Sequence, residues 1–199
     1  MSDASENKWP PLAGEYQVIN ERNKIAVVTC VSPHENFLDE RLAIIGVQKT
    51  ENLGVEKIIC NTVSNPNIRA FIICGKESVG HNAGASLLAL WKNGVDKDGR
   101  IVGAGGAIPY LENIDESVIA RFREQILHME DMIGVEDPIK VRAKLDELLK
   151  KNLSPFDKPP LWVAGIGKRG KTKILSSAEK LIVSEKVSLD PINLELQVC

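Results

Sequence analysis

A chain of 199 residues, 43% of them hydrophobic, can bury the core of one α/β-sized domain with an appendage. A formal net charge of -2 and 5% aromatic residues exclude a strong electrostatic footprint for nucleic acid and a base-stacking platform. No run approaches the roughly 18 apolar residues that span a bilayer, and the polar start MSDASENKWPPLAGEY holds no apolar signal core, so a cytoplasmic protein without a membrane anchor is expected.

In chain order, residues 1–16 read as a loose lead-in, broken by Pro10 and Pro11 after Trp9. Ile25 to Cys30 is a continuous apolar run, as expected of a strand buried on both faces of a parallel sheet. Ala43 to Val47 is a second, shorter candidate. From Val55 to Val63 the apolar spacing predicts a helix, ended by the turn Asn65-Pro66-Asn67. Ile68 to Cys74 reads as another buried strand. A helix from about Ala83 to Lys92 stops at Asn93-Gly94, and Ile101-Val102 is a short strand breaking into glycines. Asp115 can cap a helix whose apolar stripe is Val118, Ile119, Phe122, Ile126, Met129 and Ile133. Asp137-Pro138 starts a last helix, which Leu145, Leu148 and Leu149 carry to about Asn152.

Strands alternating with helices predict an α/β fold, a mostly parallel, Rossmann-like sheet flanked by helices. The expected organisation is a lead-in at 1–16, a sheet domain at 17–152 and a small β-leaning extension at 153–199, where Ile192, Leu194, Leu196 and Val198 alternate. Cys30, Cys60, Cys74 and Cys199 form no CxxC pair, so they read as small buried thiols in a reducing compartment.

In an open parallel sheet, ligands bind beyond the carboxyl ends of the strands. Three glycine-bearing loops follow candidate strands here. They are Lys49-Thr50-Glu51-Asn52-Leu53-Gly54, Gly75-Lys76-Glu77-Ser78-Val79-Gly80-His81, and Gly103-Ala104-Gly105-Gly106-Ala107-Ile108-Pro109. Glycines admit close backbone approach, and helix amino termini offer free N–H groups. That floor suits a large cofactor rich in amide or phosphate oxygens. His81, at a helix start between Gly80 and Asn82 and close to Gly84, is the candidate ligand, since neutral imidazole is the commonest nitrogen donor to a transition metal. The competing reading is a helix-start histidine that bonds only water. His34 lies in a polar loop and His128 reads as mid-helix and solvated, which makes both poorer candidates.

The segments KTENLGVEKII (49–59), SNPNIRAFIICGKE (64–77), GHNAG (80–84), NGVDKDGRIVGAGGAIPYLENI (93–114) and FREQI (122–126) together resemble the A subunit of tetrahydromethanopterin S-methyltransferase, a family of methanogenic archaea. The resemblance covers about residues 14–135. It implies a cobalamin-binding domain in which His81 is the axial ligand of the cobalt and the corrin rests on the three loops. It also implies methyl transfer from a methylated tetrahydropterin-type donor to a thiol such as coenzyme M. Two partners follow from it, a methyltransferase subunit that binds the donor and an enzyme or subunit that accepts the methyl group. The second imidazole nitrogen then needs a partner to set the tautomer, with Glu51, Glu77 and Ser78 as candidates. Two departures stand out. The family's membrane-bound form ends in a hydrophobic anchor helix that this chain lacks, and Ala85 stands where glutamine is expected.

A rival motif lies in the tail. Gly165 to Thr172 formally matches the P-loop pattern GxxxxGK[ST], after a candidate strand at Leu161-Trp162-Val163 and before a possible helix through Ile174, Leu175, Ala178, Leu181 and Ile182. The short remainder leaves no room for the strands and magnesium-binding aspartate of a P-loop fold, so Lys168, Arg169, Lys171 and Lys173 are expected to form a solvated basic turn or a docking patch instead. The alternatives to a corrinoid carrier are thus a nucleotide-binding protein using Lys171 and a partner-binding scaffold without cofactor.

Overall fold

A computed structural model of the protein describes residues 8–163 and the strands 181–184, 187–189 and 196–198. The chain divides into two compact units, Met1–Ile166 and Gly167–Cys199. The first carries β1 (Tyr16–Val18), β2 (Ile25–Val28), β3 (Ile44–Gly46), α1 (Leu53–Val63), β4 (Ala70–Gly75), α2 (Ala83–Asn93), α3 (Glu116–Gln125), β5 (His128–Ile133) and α4 (Pro138–Leu149). Its sheet has the order β1-β3-β2-β4-β5, parallel throughout except for β1, which runs antiparallel to β3. The second unit holds an antiparallel sheet of β6 (Leu181–Ser184), β7 (Val187–Leu189) and β8 (Leu196–Val198).

The apolar runs are continuous because both faces of the central strands are covered. Ala26 and Val28 of β2, with Phe71 and Ile73 of β4, face the core shared with α1, α2 and α3. Ile25, Val27, Ala70, Ile72 and Cys74 face the opposite core, closed by Val141, Leu145 and Leu148 of α4. Phe122 of α3 packs its ring on Phe71, with centroids 6.1 Å apart. The connection from β2 to β3 carries only a single 3-10 turn, His34–Phe37, and its end is tied to α4 through Arg41, which bridges Asp39 and Asp146.

Helix ends follow the sequence signals closely. Gly94, at φ 77°, ends α2. The Asp137 carboxylate accepts from the Ile139 N–H at 2.9 Å, with Pro138 at the first helical position. Replacing Asp137 by alanine should cost about 1 kcal/mol in urea unfolding, the usual value of an N-cap. Ligand binding at the other loops should not change in that variant.

Several expectations fail. Met129 and Ile133 do not extend α3; they lie on β5, paired to β4 from Ala70↔His128 to Gly75↔Ile133. A separation of four residues keeps two side chains on one face in a helix and in a strand alike, so their spacing was ambiguous. His128 accordingly begins a strand and is half-buried, not solvated on a helix. Ile101 and Val102 do not form a sheet strand. Ile101 bridges only Val95, and Arg100 bridges Tyr110, within a local antiparallel excursion. Leu161 to Val163 is not a strand, and Leu181 and Ile182 belong to β6, not to a helix. The P-loop-like segment at 165–172 lies outside the described residues.

From Trp9 onward the lead-in is held down. The Trp9 indole donates to the Asn61 carbonyl at 2.7 Å, and the Asn61 side chain exchanges two hydrogen bonds with Leu12. Beyond α4, residues 153–163 form a strap. The Phe156 N–H donates to the Pro66 carbonyl and the Leu161 N–H to the Val63 carbonyl. The Phe156 ring meets the guanidinium groups of Arg121 and Arg69 at 4.1 and 5.0 Å. Among the described residues, no helix is long and apolar enough to cross a membrane.

Candidate functional site

The loops at the carboxyl ends of β3 and β4 meet at His81. Its side chain is half exposed, and Nδ1 lies 2.8 Å from Oε2 of Glu51, a carboxylate only 1% exposed. The other Glu51 oxygen accepts from the Ile108 N–H at 2.7 Å. One buried carboxylate therefore joins all three predicted loops. Burial disfavours its charged form, but the N–H groups of Ile108 and of Glu51 itself, with His81, outweigh that and hold its pKa below the ordinary value. A charged Glu51 can only accept, so Nδ1 of His81 is the donor, and in the neutral ring Nε2 is the nitrogen that carries the lone pair.

The third loop reaches this place without following a sheet strand. It is pinned from the 51–56 segment by a second buried carboxylate, since Glu56 accepts from the Asn113 N–H at 2.9 Å and from its side-chain amide at 2.8 Å. Gly106 lies directly on the other loops: a Cβ there would sit 2.3 Å from the His81 carbonyl oxygen and 2.8 Å from Cγ of Glu51. The Asn82 amide donates to the Gly105 carbonyl at 3.2 Å. The Ala104 and Pro109 carbonyls accept from Arg100 and from the Ile101 N–H, which closes the excursion on itself. Gly103 turns at φ 84°, and Ala107 is exposed.

The remaining predicted residues divide by what they hold. Gly75, at φ 77°, ends β4 where a Cβ would collide with the Thr29 carbonyl, so β2 and β4 close tightly there. Lys49 pairs with Glu15, and Lys76 is exposed. Gly80 turns the loop at φ 80° just before His81. Gly84 presses α2 against Cys30 and Ile73.

The expected free N–H groups at the helix starts are taken by the protein's own side chains. Thr50 Oγ1 accepts from the Gly54 N–H and Asn52 Oδ1 from the Leu53 N–H, at the start of α1. At α2, Ser78 Oγ accepts from the Ala83 N–H, while Glu77 accepts from the Gly84 and Ala85 N–H groups. Of the three candidate partners for the imidazole, Glu51 is the one bonded to it, and Glu77 and Ser78 serve the helix instead.

Sequence reasoning passed over Gln48, which is 1% exposed and donates to the Ala83 and Thr50 carbonyls. It also passed over Glu56, which read as an ordinary polar helix position. Neither carries a local signal, because the partners of both lie on other segments.

Around His81, apolar side chains are left outward: Val79 is 90% exposed, Ile108 59% and Leu53 51%. Single exposed apolar residues are ordinary, but these lie on each of the three loops joined by Glu51. Among the described residues, no cluster of three His, Cys, Asp or Glu side chains could hold a bare metal ion. What His81 offers is a single nitrogen on a half-exposed ring, between loops that each carry an exposed apolar side chain. One such donor suits a metal that brings its remaining ligands with it. The buried thiols of Cys30, Cys60 and Cys74 are pushed up to about 12, chiefly by burial, and supply no thiolate at neutral pH.

The family model for the A subunit of tetrahydromethanopterin S-methyltransferase matches residues 3–173. The chain is 43% identical over 190 residues to the A subunit of the methyltransferase Mtx of Methanosarcina acetivorans, covering 96% of this chain and 94% of that one. It is 46% identical over 157 residues to the A subunit of tetrahydromethanopterin S-methyltransferase of Methanohalobium evestigatum, covering 78% of this chain and 65% of the relative. Against the same subunit of Methanocaldococcus jannaschii the identity is 43% over 164 residues, covering 81% and 68%.

Proposed function

Because the chain belongs to the family of the tetrahydromethanopterin S-methyltransferase A subunit, we propose that it is the corrinoid carrier of a methyl-transfer system, with His81 as the axial ligand of the cobalt. The observation that supports this most is the pairing of a half-exposed imidazole with a buried carboxylate at the carboxyl ends of a parallel sheet. When bound, a corrinoid would supply the chemistry of methyl transfer from a methylated tetrahydropterin to a thiol such as coenzyme M.

The chain's own residues do the rest. Glu51 holds the Nδ1 proton of His81 and keeps Nε2 ready to ligate. Val79, Ile108 and Leu53, exposed on the three loops, would offer apolar surface to a bound corrin. The loops of 49–52, 75–82 and 103–109 would hold it, and Gly106 lets the third loop lie directly on His81 and Glu51. The partners proposed for such a carrier are a methyltransferase subunit that binds the donor and an enzyme or subunit that accepts the methyl group.

Titration with aquocobalamin, followed by visible spectroscopy, tests this. Wild type should bind and give a histidine-ligated cobalt(III) spectrum. His81→Ala should lose that spectrum and bind at least about tenfold more weakly, as for loss of a metal ligand or its support. A wild type that leaves the cobalamin spectrum unchanged would sink the carrier reading.

A further inference from the structure

We propose that the site recognises a corrinoid by its ring and cobalt and not by the phosphate of its nucleotide loop, with Glu77 as the residue that closes the phosphate route. The inference rests on the carrier reading and concerns what that carrier selects.

In a parallel sheet, the start of the helix after a glycine-bearing loop is the usual place for a phosphate, because free N–H groups and the helix dipole converge there. Here α2 has that position, with Gly75 and Gly80 in the loop before it. Yet the place is already filled by an internal anion. Glu77 Oε1 accepts from the N–H of Ser78 at 2.8 Å and of Gly84 at 3.1 Å, and Oε2 from that of Ala85 at 2.9 Å. The hydroxyl of Ser78, itself buried, takes the Ala83 N–H at 3.1 Å. An incoming phosphate would have to expel a carboxylate that has the donors it needs, and would meet like charge on the way.

The other helix start near His81 is closed too, by Thr50 and Asn52. Between the two stands Glu51, a second carboxylate. Of the nearby cations, Lys49 is engaged by Glu15, and Lys76 is exposed, so its attraction is screened. What remains uncommitted is Nε2 of the imidazole and the exposed side chains of Val79, Ile108 and Leu53, which suit a ring.

Cobinamide and cobinamide phosphate share the corrin and differ in one phosphate, and neither carries a base that competes with His81. Their dissociation constants, read from tryptophan quenching and the visible spectrum, test the proposal. Wild type should bind the two within about threefold of each other. Glu77→Ala should shift the ratio toward the phosphate by up to about fivefold, the size of a charge interaction at a helix terminus. Should that variant fail to fold, Glu77→Gln removes the charge while keeping one accepting oxygen, and should shift the ratio in the same direction. Binding of cobinamide phosphate at least about tenfold tighter by wild type would overturn the proposal and leave the carrier reading intact. So would a ratio unmoved in both variants. Failure of cobalamin and both cobinamides to bind would instead remove the carrier reading, and this inference with it.

Discussion

Glu51→Gln is expected to fold normally and yet bind corrinoid about 10- to 100-fold more weakly, the usual cost of losing the partner of a metal-ligating histidine. The glutamine carbonyl can still accept the Ile108 N–H that Glu51 Oε1 holds at 2.7 Å. Its amide group then faces Nδ1 of His81, where Oε2 stood at 2.8 Å. An amide donor there makes Nδ1 the acceptor and moves the ring proton to Nε2, the nitrogen proposed to ligate the cobalt. Glu51→Ala removes both acceptors and should also destabilise the protein, by about 2–3 kcal/mol, since a buried N–H and the imidazole lose their partner. Thermal unfolding and cobalamin titration of the two variants separate these effects. Equal affinity in wild type and Glu51→Gln would show that the carboxylate does not set the tautomer.

The second large effect is on stability alone. Gln125 is fully buried at the end of α3, and its amide lies within hydrogen-bond distance of three carbonyls, those of Thr62, Asn65 and Ile68, at 2.9, 3.0 and 3.1 Å. These belong to the end of α1 and the turn into β4, so one side chain ties a helix terminus to the edge of the core. Gln125→Leu, similar in volume, should lower the unfolding free energy by about 2–4 kcal/mol, because buried carbonyls lose their donor. In urea the midpoint should fall with little change in slope. Cobalamin affinity should stay within about twofold of wild type, since this cluster lies at the amino ends of the parallel strands, away from His81. A change below about 0.5 kcal/mol would mean that water replaces the amide without loss.

These two residues also mark the boundary of what could be read in advance. Gln125 lies on a helix that the spacing of Val118, Ile119 and Phe122 announced, but nothing local shows a polar residue turned inward there. Its value comes from carbonyls about 60 positions away. Likewise His81 stood out because a glycine loop led into a helix. Glu51 was one of three candidates until the fold brought it within hydrogen-bond distance.

Where local physics is decisive, the chain was legible. The runs Ile25 to Val28 and Ala70 to Cys74 are apolar at every position, as a strand covered on both faces requires, and they became the central parallel pair. Asp137-Pro138 and Asn93-Gly94 placed helix ends through the geometry that those residues prefer. Where the same spacing serves two structures, only tertiary pairing could choose, and β4 took residues 128–133 as a strand. The closed helix starts belong to the same class. Glu77 folds back seven and eight positions along the chain onto Gly84 and Ala85, and Gly106 rests on His81, through loop shapes that propensity does not specify. Sequence by itself determined the α/β class, the central buried strands, the capped helix ends and the glycine loop that carries His81, since burial period and turn chemistry act within a few residues. Only the tertiary structure decided which carboxylate holds the imidazole and which N–H groups stay open, because those contacts exist only once separate loops are packed against one another.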